Sequence, residues 1–369
     1  MEVEATIDGT PGILAMEVGP FGQTKVLFRT ERMLVQTDSA EDNLTDWTAD
    51  LADGRRVTMH RCYPTRVCFS LGANAGKGCS TSLLPAGGIT IERPASHYST
   101  AEFALANLWL PAIAPLKFDA LDVEFVPAAW GGPHYVDLPK GSEARVVWWM
   151  RVQLGGTTRI EEAYEAALCF SDLASLFLDE RVRVPAYRVL DAEGNEVLSH
   201  LNSIRWPVIT KRGRDYTDRV QDALLAVGAA PVRAEFEGLH LHRYVDTVLE
   251  AWREDVFLET SLACILMALE GITYRWEITK GGMSPEEAQK RNLVEKLRFM
   301  NTSLQFIDKR YMSDPLREDL RNPIVHTGAV PSMTAQELHR WVDDLVLLAR
   351  DVFFRVLGFS RTFVGTSTP

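Results

Sequence analysis

The sequence predicts an α+β protein, in which a β-rich antiparallel region precedes a C-terminal bundle of helices. Three observations carry that expectation. Up to about residue 210, short runs rich in Val, Thr, Phe and Trp alternate with Gly, Pro, Asn and Asp. That rhythm of turn signals suits a sandwich or barrel-like sheet. Beyond Lys211-Arg-Gly-Arg-Asp215, apolar residues recur instead at three- and four-residue spacing, which is helical. Finally, 369 residues suggest about two domains, with room for a third, and 46% hydrophobic content is enough to fill a sizeable core.

In the first region, strands are expected at 12–18, 25–30, 33–37, 56–60, 66–71 and 123–126, with a Val- and Trp-rich buried strand at 144–154. One helix intervenes at 160–178, where Ala163, Ala167, Phe170, Leu173 and Leu176 form an apolar stripe. A hairpin follows, 182–190 against 196–201, turned at Asp191 to Asn195 around Gly194. No internal repeat of 20–50 residues is visible.

In the second region, helices are expected at 216–227, 239–254, 256–276, 285–307 and 334–357. Ser284 and Pro285 mark one N-terminus. Thr334 and Glu337 form a capping-box pair at another, and Gly358 can end that last helix. Its stripe is Leu338, Trp341, Leu345, Leu348, Val352 and Val356. The stretch 257–269 is apolar almost all round, as expected of a central buried helix. The resulting organisation is a β-rich domain over 1–212, a connecting segment over 213–234, a helical domain over 235–360 and a tail over 361–369.

Composition narrows the function classes. The net charge of -11, from 39 basic against 50 acidic residues, disfavours a wholesale electrostatic nucleic-acid binder. No apolar run is long enough to span a membrane. The first residues lack the basic and apolar regions of a signal peptide, and five cysteines do not suggest a disulfide scaffold. A cytoplasmic protein is expected.

Arg321-Asn322-Pro323-Ile324-Val325-His326 is the most informative stretch. The residue before a proline avoids the α region, so a short helix over 316–320 is expected to end near Asn322. Asn322 would cap, and Pro323 would start, a new turn carrying His326. An arginine and a histidine would then flank a helix N-terminus, which attracts anions. Lys309, Arg310, Arg317 and Arg321 place four cations within thirteen positions. The chemistry that fits is phosphodiester cleavage in RNA. His326 would take a proton from a ribose 2′-hydroxyl, and Arg321 would hold the phosphate and stabilise its growing charge. That scheme needs no metal. In the competing reading, Arg321 pairs with Glu318 or Asp319 and His326 is an ordinary surface residue.

A helical bundle ending in Arg-Asn-Pro-Ile-Val-His-Thr-Gly, followed by one long amphipathic helix, resembles the HEPN family over residues 235–360. Those domains carry an Arg-x4-6-His motif that forms a metal-independent ribonuclease site, with two protomers lining a shared cleft. The resemblance implies that Arg321 and His326 are catalytic, with Asn322 and Glu270 supporting them. It implies an RNA substrate, gripped further by Arg317, Arg310 and Lys309, a homodimer, and no cofactor. The order of β-rich region, helix and HEPN-type end also looks like the ApeA-like group of bacterial defence proteins. A role in stress or anti-phage defence follows from that likeness, with the N-terminal domain sensing a ligand or protein. The alternative is a non-catalytic dimeric interaction or sensor protein on a HEPN-like scaffold.

Other candidates are weaker. Gly72 to Gly78 has one residue too few between Gly72 and Gly76 for a phosphate loop, and Gly78 replaces the magnesium-binding Ser or Thr. It reads as a hairpin loop. His60, Cys62, Cys68 and Cys79 contain no CxxC pair, and Cys62 and Cys68 read as small hydrophobes in adjoining strands. His240 and His242 would lie on different faces of a helix. Cys169 and Cys264 sit on apolar helix faces.

Overall fold

The computed structural model describes residues 2–7, 9–18, 24–30, 45–72, 75–85, 87–93, 97–108, 113, 115–118, 121–128, 146–155, 159–178, 181–202, 232–251 and 256–358. The strand expected at 33–37 and the helix expected at 216–227 lie outside them. The chain divides into two compact units. One comprises Met1–Trp109, Leu121–Ala167 and Arg183–Val208, the other Leu110–Ala120, Leu168–Val182 and Ile209–Pro369.

The first unit begins with β1 (Glu2–Ile7), β2 (Thr10–Val18), β3 (Thr24–Thr30), β4 (Thr45–Leu51), β5 (Arg56–Gly72) and β6 (Ala75–Pro85). Their antiparallel pairings close on themselves. β1 pairs with β2 and β4, β2 with β3, β3 with β6, β6 with β5, and β5 with β4. Closure leaves these strands no open edge and turns alternate side chains into a common interior. Ile7, Leu14, Val26, Phe28, Trp47, Ala49, Leu51, Val57 and Met59 fill it. On β4 the alternation is plain: Trp47, Ala49 and Leu51 are buried, while Asp46, Thr48 and Asp50 are exposed.

The two strands expected at 56–60 and 66–71 are one strand, β5. Arg61 takes a left-handed φ of 52° and the register shifts near Pro64, so the strand bends without ending. Its first residues, Arg56 to Met59, also pair with β7 (Ile89–Glu92). The Gly-rich stretch forms the β5–β6 hairpin, with Gly72 opposite Ala75.

From β7 the sheet continues through β13 (Glu196–Leu201), β12 (Ala186–Leu190), β8 (Thr100–Ala106), β11 (Val146–Gln153) and β10 (Leu121–Pro127). The expected hairpin is β12–β13. Asp191 Oδ1 accepts from the Asn195 N–H at 2.7 Å, and Gly194 has φ 82°. β8 is buried on both faces. It carries Glu102, 1% exposed, whose carboxylate receives Arg151 and Arg188, each at 2.6 Å. Arg188 also stacks 4.6 Å from the Trp149 ring. The helix α1 (Ile160–Leu178) matches its expected bounds, with Ala163, Ala166 and Ala167 buried.

The second unit holds the short strand β9 (Leu116–Phe118) and the helices α2 (Val232–Gly238), α3 (His242–Ala251), α4 (Leu258–Thr279), α5 (Pro285–Lys290), α6 (Leu293–Leu304), α7 (Asn322–Thr327) and α8 (Ala335–Val356). α4 packs against α3, α6 and α8 and is the centre of the bundle. It is not buried all round: Met267 is 67% exposed. The single helix expected over 285–307 is split into α5 and α6. Asn292 breaks it by capping α6, reciprocally with Glu295, just as Ser284 caps α5 with Glu287. α8 starts with the expected Thr334–Glu337 box. A 3-10 turn (Lys309–Met312) and a π-helical turn (Leu316–Arg321) connect α6 to α7.

Candidate functional site

Pro323 has no N–H, and its ring clashes with the carbonyl four residues back. The chain absorbs this without breaking. In the π turn the Asn322 N–H donates to the Arg317 carbonyl, and Arg321 and Asn322 both stay helical, with φ of -63° and -65°. The expected break at Asn322 does not form, and Asn322 does not cap a new helix. The helix N-terminus that would have attracted an anion is therefore absent from the motif. α7 ends as expected at Gly328, which has φ 71° and whose N–H donates to the Ile324 carbonyl.

Arg321 and His326 thus lie on one continuous helical stretch. Five helical residues set them about 140° apart around the axis and about 7.5 Å along it. Arg321 does not pair with Glu318 or Asp319. Its Nη2 donates to Glu270 Oε1 and Oε2, at 3.2 and 3.3 Å, reaching α4. The same carboxylate lies 3.8 Å from Nζ of Lys296, a residue only 4% exposed whose ammonium is 5.5 Å from the Tyr274 ring centre. Two cations therefore share one carboxylate, and the group keeps a net positive charge. The Arg321 Nε is buried without a hydrogen-bond partner among the described residues. His326 is exposed and makes no hydrogen bond among them.

The remaining basic residues are largely neutralised. Arg310 pairs with Asp344 at 2.9 Å and also contacts the Tyr311 hydroxyl. Arg317 pairs with Glu318 at 2.7 Å. Lys309 is exposed and has no ion-pair partner among the described residues.

The first unit contains a polar cluster that the sequence reading missed. His60 Nδ1 lies 3.0 Å from Asp46 Oδ2, and its Nε2 lies 2.8 Å from Thr90 Oγ1. Thr90 Oγ1 is also 2.8 Å from His200 Nδ1, and His200 Nε2 is 2.9 Å from Asn202 Oδ1. The Tyr164 hydroxyl donates to that same oxygen at 3.0 Å. Tyr187 stacks on His200, with ring centres 5.0 Å apart. Burial holds His200 down at about 4, and the nearby His60 pushes it the same way. The Arg61 N–H and His60 hold Asp46 below the usual carboxylate range. The available signal was the strand alternation: Thr58 and His60 fall on one face of β5, with Thr90 opposite Thr58 and His200 opposite Thr90.

Cys62 is buried, its thiol pushed up to about 11 by burial, and its Sγ donates to the Met59 carbonyl. Cys62 and Cys68 lie in the same strand, β5, rather than in adjoining ones, because that strand bends instead of ending. His240 sits in the turn before α3 with φ 53°, its ring 6.2 Å from that of His242. Among the described residues no group of His, Cys, Asp and Glu is arranged to hold a metal ion, and no helix is long and apolar enough to cross a membrane. No protein-family model matches the chain, and neither does any curated protein or solved structure.

Proposed function

We propose that this protein is a metal-independent endoribonuclease of HEPN type, cytoplasmic and homodimeric, acting in bacterial stress or anti-phage defence. The supporting observation is that Arg321, tethered to Glu270, and His326, exposed and without a hydrogen bond among the described residues, lie on one helical stretch. Neutral His326 accepts the ribose 2′-hydroxyl proton as O2′ attacks phosphorus. The bond from phosphorus to O5′ breaks, the departing oxygen takes a proton from water, and a 2′,3′-cyclic phosphate remains. Arg321 stabilises the charge that builds on the phosphoryl oxygens. Glu270 fixes one end of its guanidinium and Lys296 limits how far Glu270 neutralises it. The β-rich unit serves as the sensing or partner-binding part.

The test is RNA cleavage by the full-length protein in EDTA, compared with His326→Ala. Loss of cleavage with folding intact supports the assignment, and equal activity of the variant overturns it. A second reading has its own observation. Met267 and Val325, 67% and 54% exposed, are apolar surface on α4 and α7, the helices that carry Glu270 and His326. They favour a non-catalytic interaction protein, for which no cleavage occurs at any protein concentration and His326→Ala leaves self-association unchanged.

A further inference from the structure

If every contact of the histidine cluster is a hydrogen bond, one arrangement of its protons satisfies them all. The Asn202 amide donates through Nδ2 to the Val184 carbonyl at 2.7 Å. A carbonyl only accepts, so this bond sets the amide orientation and leaves Oδ1 facing His200 Nε2. His200 must then carry its proton on Nε2. Because His200 is neutral, its Nδ1 is a lone pair, and the Thr90 hydroxyl donates to it. Thr90 has no second hydrogen, so its oxygen accepts from His60 Nε2–H. The other nitrogen of His60 faces the Asp46 carboxylate, which is ionised and also only accepts. Both ring nitrogens of His60 therefore carry protons. The closed chain holds one proton more than two neutral histidines would.

We propose that Asp46, His60, Thr90, His200, Asn202 and Tyr164 form a one-proton latch, in which loss of the His60 proton breaks the bond between His200 and Asn202. His60 keeps its Nδ1–H on Asp46, so its Nε2 becomes an acceptor and the Thr90 hydroxyl turns to it. Thr90 oxygen then accepts from His200 Nδ1–H. The proton of His200 has moved from Nε2 to Nδ1, and a lone pair now faces Asn202 Oδ1. A charge change at β4 and β5 is thereby read out at the residue that binds Tyr164 of α1. No net charge moves through His200 itself.

The surroundings are consistent with this assignment. Asp46 from β4, Thr90 from β7 and His200 from β13 face His60, whose ring centre is 5.9 Å from that of His200. On the same face Arg56 is paired with Asp50. Tyr187 from β12 covers His200, and burial raises the Tyr187 hydroxyl, with Tyr164 and then Glu161 of α1 adding to the rise. Gly88 has φ 93°, and a Cβ there would stand 2.5 Å from the Leu201 carbonyl and 3.0 Å from His200 Nε2. The turn before β7 is thus closed tightly over the link that opens.

The test is a two-bond proton–nitrogen spectrum of full-length protein labelled with 15N-histidine, recorded from about pH 5 to about pH 8, where imidazoles titrate. At the acid end His60 should show both nitrogens protonated and His200 the Nε2–H tautomer. As His60 loses its proton, the His200 signals should exchange to the Nδ1–H pattern with the same midpoint. Thr90→Ser should keep the exchange, and Thr90→Val should abolish it. A His200 tautomer constant across the range overturns the latch, as does exchange that persists in Thr90→Val. Should Thr90→Val fail to fold, wild type and Thr90→Ser decide the matter.

Discussion

Two clusters in this molecule use histidine in opposite ways. In the β-rich unit, His60 and His200 commit all four ring nitrogens to neighbours, in a chain running from Asp46 to Tyr164. In the helical unit, His326 is exposed and makes no hydrogen bond among the described residues, while the arginine five positions earlier is anchored to Glu270. Partial burial of His60 and His200, against the exposure of His326, explains the difference. A polar group removed from water must find partners or destabilise the fold, whereas an exposed imidazole is satisfied by solvent and stays available to a ligand. The first arrangement ties its imidazoles to the fold, and the second leaves an imidazole open to solvent, as the proposed function requires.

The sharpest way to break this contrast is His326→Ala. Loss of a general base lowers rate by about 10²- to 10⁴-fold, while an exposed truncation changes stability by about 0.5 kcal/mol at most. RNA cleavage and urea unfolding, measured on the same preparation, should separate accordingly. A large stability loss would place His326 among the structural residues and erase the distinction.

The converse experiment removes a buried charge in the β-rich unit. Glu102 bridges Arg151 and Arg188 from a position 1% exposed. Glu102→Ala takes the carboxylate from Arg188 and leaves Arg151 only Glu124, 3.8 Å away, and should destabilise that unit by about 3 kcal/mol, with cleavage unaffected below the unfolding transition. Chemical denaturation followed by tryptophan fluorescence reads this directly, since Trp149 stacks on Arg188.

Acid should act on the same unit. His200 lies below its ordinary value of 6.5, at about 4, because burial disfavours its cation. The unfolded chain therefore binds the proton first. The stability this contributes is complete above about pH 6.5 and is lost as the pH falls towards about 4, up to an order of 3 kcal/mol. His200→Gln should flatten that slope, measured as unfolding midpoint against pH.

Much of the fold could be read from local pattern, but the closures could not. The 19 residues of α1 and the hairpin of β12 and β13 follow from an apolar stripe and an Asp–Gly turn. β4 escaped because Asp and Ala are poor strand formers, although its alternation of Asp46, Thr48 and Asp50 with Trp47, Ala49 and Leu51 is regular. The ring from β1 to β6 depends on pairings such as Asp50 with Arg56 and Thr30 with Cys79, which no local spacing encodes. At the candidate site, the proline rule anticipated a helix end. It missed that a π turn can absorb Pro323 and keep the helix continuous. The partner of Arg321 is Glu270, 51 residues earlier, the acid that the family resemblance had implied, and not one in its own turn. The half-buried histidine chain left only scattered His and Thr residues in the sequence, joined by strand register alone.

The smallest expected effect concerns the surface cations, and it tests how far pairing decides availability. Arg310 and Arg317 are held by Asp344 and Glu318, so a phosphate must compete with a carboxylate already in place. Lys309 has no such competitor among the described residues. A single exposed phosphate contact changes the salt dependence of binding by about one counterion. Lys309→Ala should therefore weaken RNA binding by about threefold at low salt and lower the salt slope by about one, equally across RNA sequences. Arg317→Ala should leave both nearly unchanged. Filter binding at several salt concentrations distinguishes the two variants. An Arg317 effect equal to that of Lys309 would mean that these ion pairs open freely in solution, and that pairing in the structure does not predict which cations meet the substrate.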